Sequence, residues 1–219
     1  MDITTGQVSS LPDMIKTKCF PVGVGTEKEI FVFGTRMFSY SSDCFSKEVY
    51  DAALGRWSLL PRMIEERFGC AAVNIPDTGV LFIGGLGRNG FILRSTELLT
   101  RRSGKGGEKW QWRHFPPMNY GHRGFPLSVY FQGRVYVVGY VEFVKKMEML
   151  DVETGGQWTF LNFFRQPLKV FSMARVGNEL FIAVCNSPAL YSIKLDSNPK
   201  RRLAKWRKRK FTTFVNLMM

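Results

Sequence analysis

A chain of 219 residues that is 45% hydrophobic and 14% aromatic, with 19 Phe and 21 Gly, suits a single domain of many short strands joined by tight turns. Its net charge of +13 is mostly local: residues 200–219 carry eight Lys or Arg and no acid, leaving +5 for the rest, which argues against a nucleic-acid surface spread over the chain. No apolar stretch reaches 18 residues and the N-terminus lacks an apolar signal core, so neither a membrane span nor secretion is predicted, and Cys19, Cys44, Cys70 and Cys185 are too scattered for a zinc site or a disulfide framework.

Residues 1–18 are polar, with Ser9, Ser10 and Pro12, and are expected to supply at most one outer strand. The first full unit has predicted strands at Phe20–Val24, Ile30–Phe33, Glu48–Asp51 and Trp57–Leu60. A serine-rich polar loop, Thr35 to Lys47, separates its second and third strands, and loops of that length on a repeat scaffold mark a variable, partner-facing rim. In the second unit, Cys70–Val73 and Val80–Ile83 flank Pro76, Asp77, Thr78 and Gly79, the pattern of a hairpin. Val80, Leu81, Phe82 and Ile83 are apolar without alternation, which implies a strand covered on both faces, and Gly84 and Gly85 end it. The insertion Arg101–Gly107 is expected to be an unstructured, exposed hairpin tip because it is basic and rich in glycine. The third unit is clearest in the hairpin Ser128–Phe131, Gln132-Gly133, Arg134–Val138. The fourth has Ser172–Val176, a Gly177-Asn178 turn, Glu179–Val184 and Leu190–Leu195, with the basic run at 200–219 left to supply its last strand.

These units are copies of one another. Trp57-Ser-Leu-Leu-Pro-Arg-Met63 is matched by Trp112-Arg-His-Phe-Pro-Pro-Met118, more loosely by Trp158-Thr-Phe-Leu161 and by Trp206, at a mean spacing of about 50 residues. A second register agrees: Glu48-Val-Tyr-Asp51, Glu97-Leu-Leu-Thr100 and Glu148-Met-Leu-Asp151 recur 49 and 51 residues apart. Leu11-Pro12-Asp-Met14-Ile15 lies 49 residues before Leu60-Pro61-Arg-Met63-Ile64, so the chain opens on the tail of a preceding unit.

With these motifs the sequence resembles the kelch-repeat family, of the BTB-kelch type but without room for a BTB domain in the 18 residues before the first unit. The resemblance implies an all-β, kelch-type β-propeller of about four blades, each of four antiparallel strands, over residues 19–199, with blades at about 19–63, 68–118, 125–163 and 170–211 and a basic segment at 200–219. Trp57, Gly84, Gly85, Trp112 and Trp158 are then the repeat's structural residues, although the other units replace the double glycine by Gly34-Thr35, Gly139-Tyr140 and Val184-Cys185. Rings of this family usually resemble six or so blades. A partial ring is therefore expected, either a fragment of a longer product or one completed by another chain.

Arg67 and Arg123 follow the Pro-x-Met turn by four or five residues, and the resemblance directs such an arginine toward the channel or the loop face. Two roles stay open for them: hydrogen bonds to neighbouring carbonyls, or contact with an acidic peptide. Arg36, Tyr40, Ser42, Arg88 and Asn89 follow the second strands of their blades and are candidates for the same mouth. No catalytic constellation, metal set or cofactor motif is legible: His114 and His122 are the only histidines, and Gly84-Gly85-Leu86-Gly87 is not followed by a helix. The run Lys200 to Lys210 suits nuclear import or an acidic partner rather than DNA reading. The expected function is a noncatalytic protein-protein interaction module in the cytoplasm, with nuclear import through the basic C-terminus. The resemblance implies either recognition of a ubiquitination substrate for a cullin-type ligase or actin-associated scaffolding; the alternative is a propeller enzyme of the galactose oxidase type.

Overall fold

The computed structural model describes residues 6–8, 10–35, 45–104, 107–122, 125–140, 143–144, 146–162, 167–185, 190–195 and 207–209. All regular structure among them is β, and among these described residues no helix is long and apolar enough to cross a membrane. The chain forms the four blades of a β-propeller, each a strictly antiparallel meander. Blade one is β1 (Cys19–Gly25), β2 (Glu29–Thr35), β3 (Phe45–Asp51) and β4 (Arg56–Leu59). Past β5 (Arg67–Phe68), blade two is built from β6 (Ala71–Ile75) and β7 (Gly79–Ile83), then, beyond β8 (Leu86–Gly87), from β9 (Thr96–Gly104) and β10 (Gly107–Phe115). Blade three is β11 (Leu127–Phe131) and β12 (Arg134–Val138), followed after β13 (Phe143–Val144) by β14 (Lys146–Asp151) and β15 (Thr159–Asn162). Blade four is β16 (Leu168–Val176), β17 (Glu179–Val184), β18 (Leu190–Lys194) and β19 (Arg207–Arg209), with β13 paired to the inner edge of β16.

Local chemistry explains the turns. Asp77 and Gly79, at φ 57° and 138°, close the β6–β7 hairpin, and Gln132-Gly133, at 42° and 74°, closes β11–β12 in the left-handed geometry a two-residue hairpin requires. The aspartates that end β3 and β14 start the next turn, because Asp51 Oδ1 accepts from the Ala53 and Leu54 amides and Asp151 Oδ1 from the Thr154 amide. The basic hairpin differs from its sequence reading, and the basic tail follows its own. Arg101 to Gly104 and Gly107 continue the β9–β10 ladder up to a Gly104–Gly107 pair; Arg101 lies over the Trp110 ring at 4.6 Å and is ion-paired with Glu29 of blade one, so the basic hairpin is pinned rather than loose. The basic tail does supply a last strand, since Arg207, Lys208 and Arg209 pair with Ser192, Tyr191 and Leu190. Trp206 lies outside the described residues.

Apolar side chains pack between blades, as the unbroken apolar run in β7 requires. Phe31, Phe33 and Val49 of blade one meet Val80, Phe82, Leu99 and Trp112 of blade two; Leu81, Ile83 and Leu98 meet Val135, Val137, Leu150 and Trp158 of blade three; Tyr136, Val138 and Met147 meet Leu180, Ile182 and Ile193 of blade four. The linker leaving one blade is stitched to the next by the repeated tryptophan: Trp57 Nε1 donates to Pro12 O at 2.8 Å, Trp112 Nε1 to Pro61 O at 3.0 Å and Trp158 Nε1 to Pro116 O at 2.7 Å. The opening segment Leu11 to Lys16 thus docks on blade one as the later linkers dock on blades two and three. Among the described residues, no buried cluster joins blade four to blade one. The ring has a seam there.

Gly84 and Gly85 sit at φ 60° and 88° where the chain leaves β7, and a Cβ on Gly85 would lie 2.5 Å from Phe68 O and 2.9 Å from Cys70 Cα. Gly85→Ala is therefore expected to lower stability by about 3 kcal/mol or more in urea denaturation, because strain and collision add. Gly90→Ala, at φ 77° with nothing within 4 Å, should lower it by only about 1 kcal/mol.

Candidate functional site

The first strands begin, the second strands end and the third strands begin at one end of every blade. Sequence reasoning places the candidate arginines there, and the structure separates them. Arg67 is buried inside blade two: its Nη1 donates to Ser95 O at 2.7 Å and Gly84 O at 3.1 Å, and its Nη2 donates to Ser95 Oγ at 2.9 Å and Glu97 Oε1 at 2.7 Å. The side chain has no exposed surface. Of the two roles open to it, the geometry is that of the structural one.

Its partner belongs to a set that the Glu register announced without revealing its purpose. Glu97 also accepts from the Ile64 and Glu65 amides of the incoming linker at 2.8 and 2.9 Å. Glu48 accepts from the Ile15 and Lys16 amides at 2.7 and 3.0 Å, and Glu148 from the Asn119 and Tyr120 amides at 2.7 and 3.0 Å. Each carboxylate is buried and faces a side chain four residues after the linker methionine: Lys18 on Glu48, Arg67 on Glu97, and His122, 3.8 Å from Glu148. The counterpart of Arg67 in blade three is therefore His122, not Arg123. Arg123, Arg36, Tyr40 and Ser42 lie outside the described residues.

Arg88 and Asn89 are exposed on the turn after β8, where Asn89 Oδ1 accepts from the Phe91 amide at 3.1 Å. Arg88 stands 5.7 Å over the ring of Phe45, which lies 6.4 Å from that of Phe68. Next to Phe68, Gly69 at φ 57° leaves room for the ring of Phe125, whose Cε1 would be 2.9 Å from a Cβ there. Phe125 in turn meets Phe20 at 5.6 Å and Tyr140 edge-on at 6.3 Å. A row of rings thus runs from Arg88 across Phe45, Phe68 and Phe125 to Phe20 and Tyr140, and it draws on blades one, two and three. Phe20 is 61% exposed and Phe91, on the same turn as Arg88, is 71% exposed. Phe20 holds φ 50° beside an irregularity in the β1–β2 register between Cys19 and Val22, a strained setting that turns its ring toward Phe125 of blade three.

Aromatic rings and an arginine offer large rigid contact area with a charged handle. Among the described residues, no group of three His, Cys, Asp or Glu side chains comes together to hold a metal ion. Cys19, Cys70 and Cys185 are free thiols; burial pushes the Cys70 thiol up to about 11, while Cys44 lies outside the described residues. No protein-family model matches the chain, and no curated protein matches it.

Glu97→Ala would strand the buried Arg67 charge and two linker amides, and a loss of about 3–5 kcal/mol is expected in chemical denaturation. For Glu48, burial raises the pKa, but hydrogen bonds from Lys18 and from the Ile15 and Lys16 amides, with the Lys18 charge, outweigh it and hold the carboxyl below its ordinary 4.5. A carboxylate depressed on folding stabilises above its unfolded pKa, and that contribution is lost as pH falls through the folded value. Melting temperature should therefore drop between pH 5 and acid, on the usual carboxylate scale of about 4. Glu48→Gln should lower the melting temperature at pH 7 and show a smaller acid-dependent drop than the parent.

Proposed function

We propose that this chain is a noncatalytic protein-interaction module, a propeller of the kelch kind that presents the aromatic end of its blades to a protein partner. The single observation that carries this reading is the row of rings from Arg88 to Tyr140, with Phe20 and Phe91 held out into solvent on a rigid scaffold. Exposed rings with an arginine at one end are the composition of binding hot spots. The partner that fits is a peptide or loop offering apolar side chains to the rings and a carboxylate to Arg88. The kelch reading is supported by the period of about 50 residues and by the tryptophan and glutamate fastenings, which recur at matching places in the first three blades.

Two partner classes follow from that reading, a ubiquitination substrate delivered to a cullin-type ligase and an actin-associated protein. Nuclear import through the basic tail would require Arg207 to Arg209 to leave the sheet, because their main chain is paired with β18.

The test is a proximity-labelling pull-down in which the intact chain is compared with Phe91→Ser plus Arg88→Ala. Both side chains are exposed, so the melting temperature should stay close to that of the parent. The expected result is loss of one specific set of partners, with ligase components or actin among them identifying the class. An unchanged partner list overturns the proposal.

A further inference from the structure

The seam leaves uncovered, position for position, what the other junctions bury. Strand pairing makes Ile30, Val80, Val135 and Leu180 equivalent, since each stands opposite the corresponding third-strand residue, Tyr50, Leu99, Leu150 and Ile193. Val80, Val135 and Leu180 are at most 2% exposed, whereas Ile30 of blade one is 37% exposed. The linker methionines repeat the contrast: Met63 and Met118 are buried in the first and second junctions, while Met14, one residue before the Glu48-bound amides as they are before theirs, is 38% exposed. On the far side of the seam, Phe181 holds the place of the buried Phe31, Leu81 and Tyr136 and is only half-buried. Phe171 and Val176 of β16 are exposed as well.

We propose that a second copy of this chain fills the seam, the blade-four face of each copy packing on the blade-one face of the other, to give eight blades about one axis. The chain itself carries both halves of the missing junction. Its blade-one face already has the Leu11 to Lys16 segment latched by Glu48 and Trp57, and its blade-four face follows the in-and-out pattern that closes the other three junctions. The new contact continues an interface that the molecule makes three times. Two copies related by a twofold satisfy both seams at once and leave no open end, and eight blades is within the range of propellers. This inference does not depend on what the aromatic end binds.

Light scattering on the purified full chain is expected to give twice its 25.1 kDa. Ile30→Asp and Phe181→Lys, each alone, should return the mass to that of one chain while circular dichroism keeps its β signature. Mixing the two variants in equal amounts should restore the two-chain species, because the introduced charges of opposite sign then share one junction and the other junction is unaltered. Should Ile30→Asp fail to fold, Met14→Asp, at a side chain already exposed, takes its place. A parent mass other than that of two chains overturns the proposal. So does a dimer indifferent to the substitutions, or a mixture that stays monomeric.

Discussion

A carboxylate is tolerated in a protein interior only when hydrogen bonds replace its water, and this molecule meets that condition three times over with a pair of consecutive linker amides, joined by the Lys18 charge at Glu48 and the Arg67 charge at Glu97. Glu48, Glu97 and Glu148 each stand on the third strand of a blade and take two main-chain amides from the segment that leads into that blade. Because the amides are consecutive, the linker has little freedom in direction. It is thereby placed so that its proline carbonyl meets the tryptophan Nε1 and, at the two packed junctions that follow such a linker, its methionine enters the core. The relation between neighbouring blades depends on this fastening as well as on apolar area. In blade four, Tyr191 pairs with Ile182 as Glu148 pairs with Val137, so the carboxylate is replaced by a ring there.

Much of this architecture is legible in the sequence because it repeats. The strands of blade one, the β6–β7 and β11–β12 hairpins and the double glycine fall where pattern and turn chemistry place them. The Glu register and the Trp-to-Met register are visible as spacings, but what they do is not, since each joins residues about 30 to 50 positions apart in three dimensions. Arg67 shows the limit. An arginine at the start of a blade reads alike whether it faces solvent or a buried carboxylate, and only the position of Glu97 decides. Counting from the linker methionine would have found its counterparts, for Lys18, Arg67 and His122 share one offset while differing in residue type. The aromatic row escaped notice for a related reason. Phe20, Phe68 and Phe125 read as ordinary apolar residues at strand starts, and it takes a bulge, a left-handed backbone and the gap at Gly69 to gather their rings on one surface.

The outer edges show the same economy of means. The last strand of blade four presents three consecutive cations, and Arg209 is tied to Ser192 and Glu179. A charged edge resists pairing with a further strand, so the residues that resemble a targeting signal in the sequence also serve as a guard in the fold.

The fastenings reach backward along the chain by a short and nearly constant distance: Glu48 binds an amide 33 residues before it, Glu97 one 33 before it and Glu148 one 29 before it. For a polypeptide leaving the ribosome, each lock therefore becomes available as soon as the third strand of its own blade emerges, before anything downstream has been made. Through the first three blades, synthesis and these fastenings then advance in step from the N-terminus.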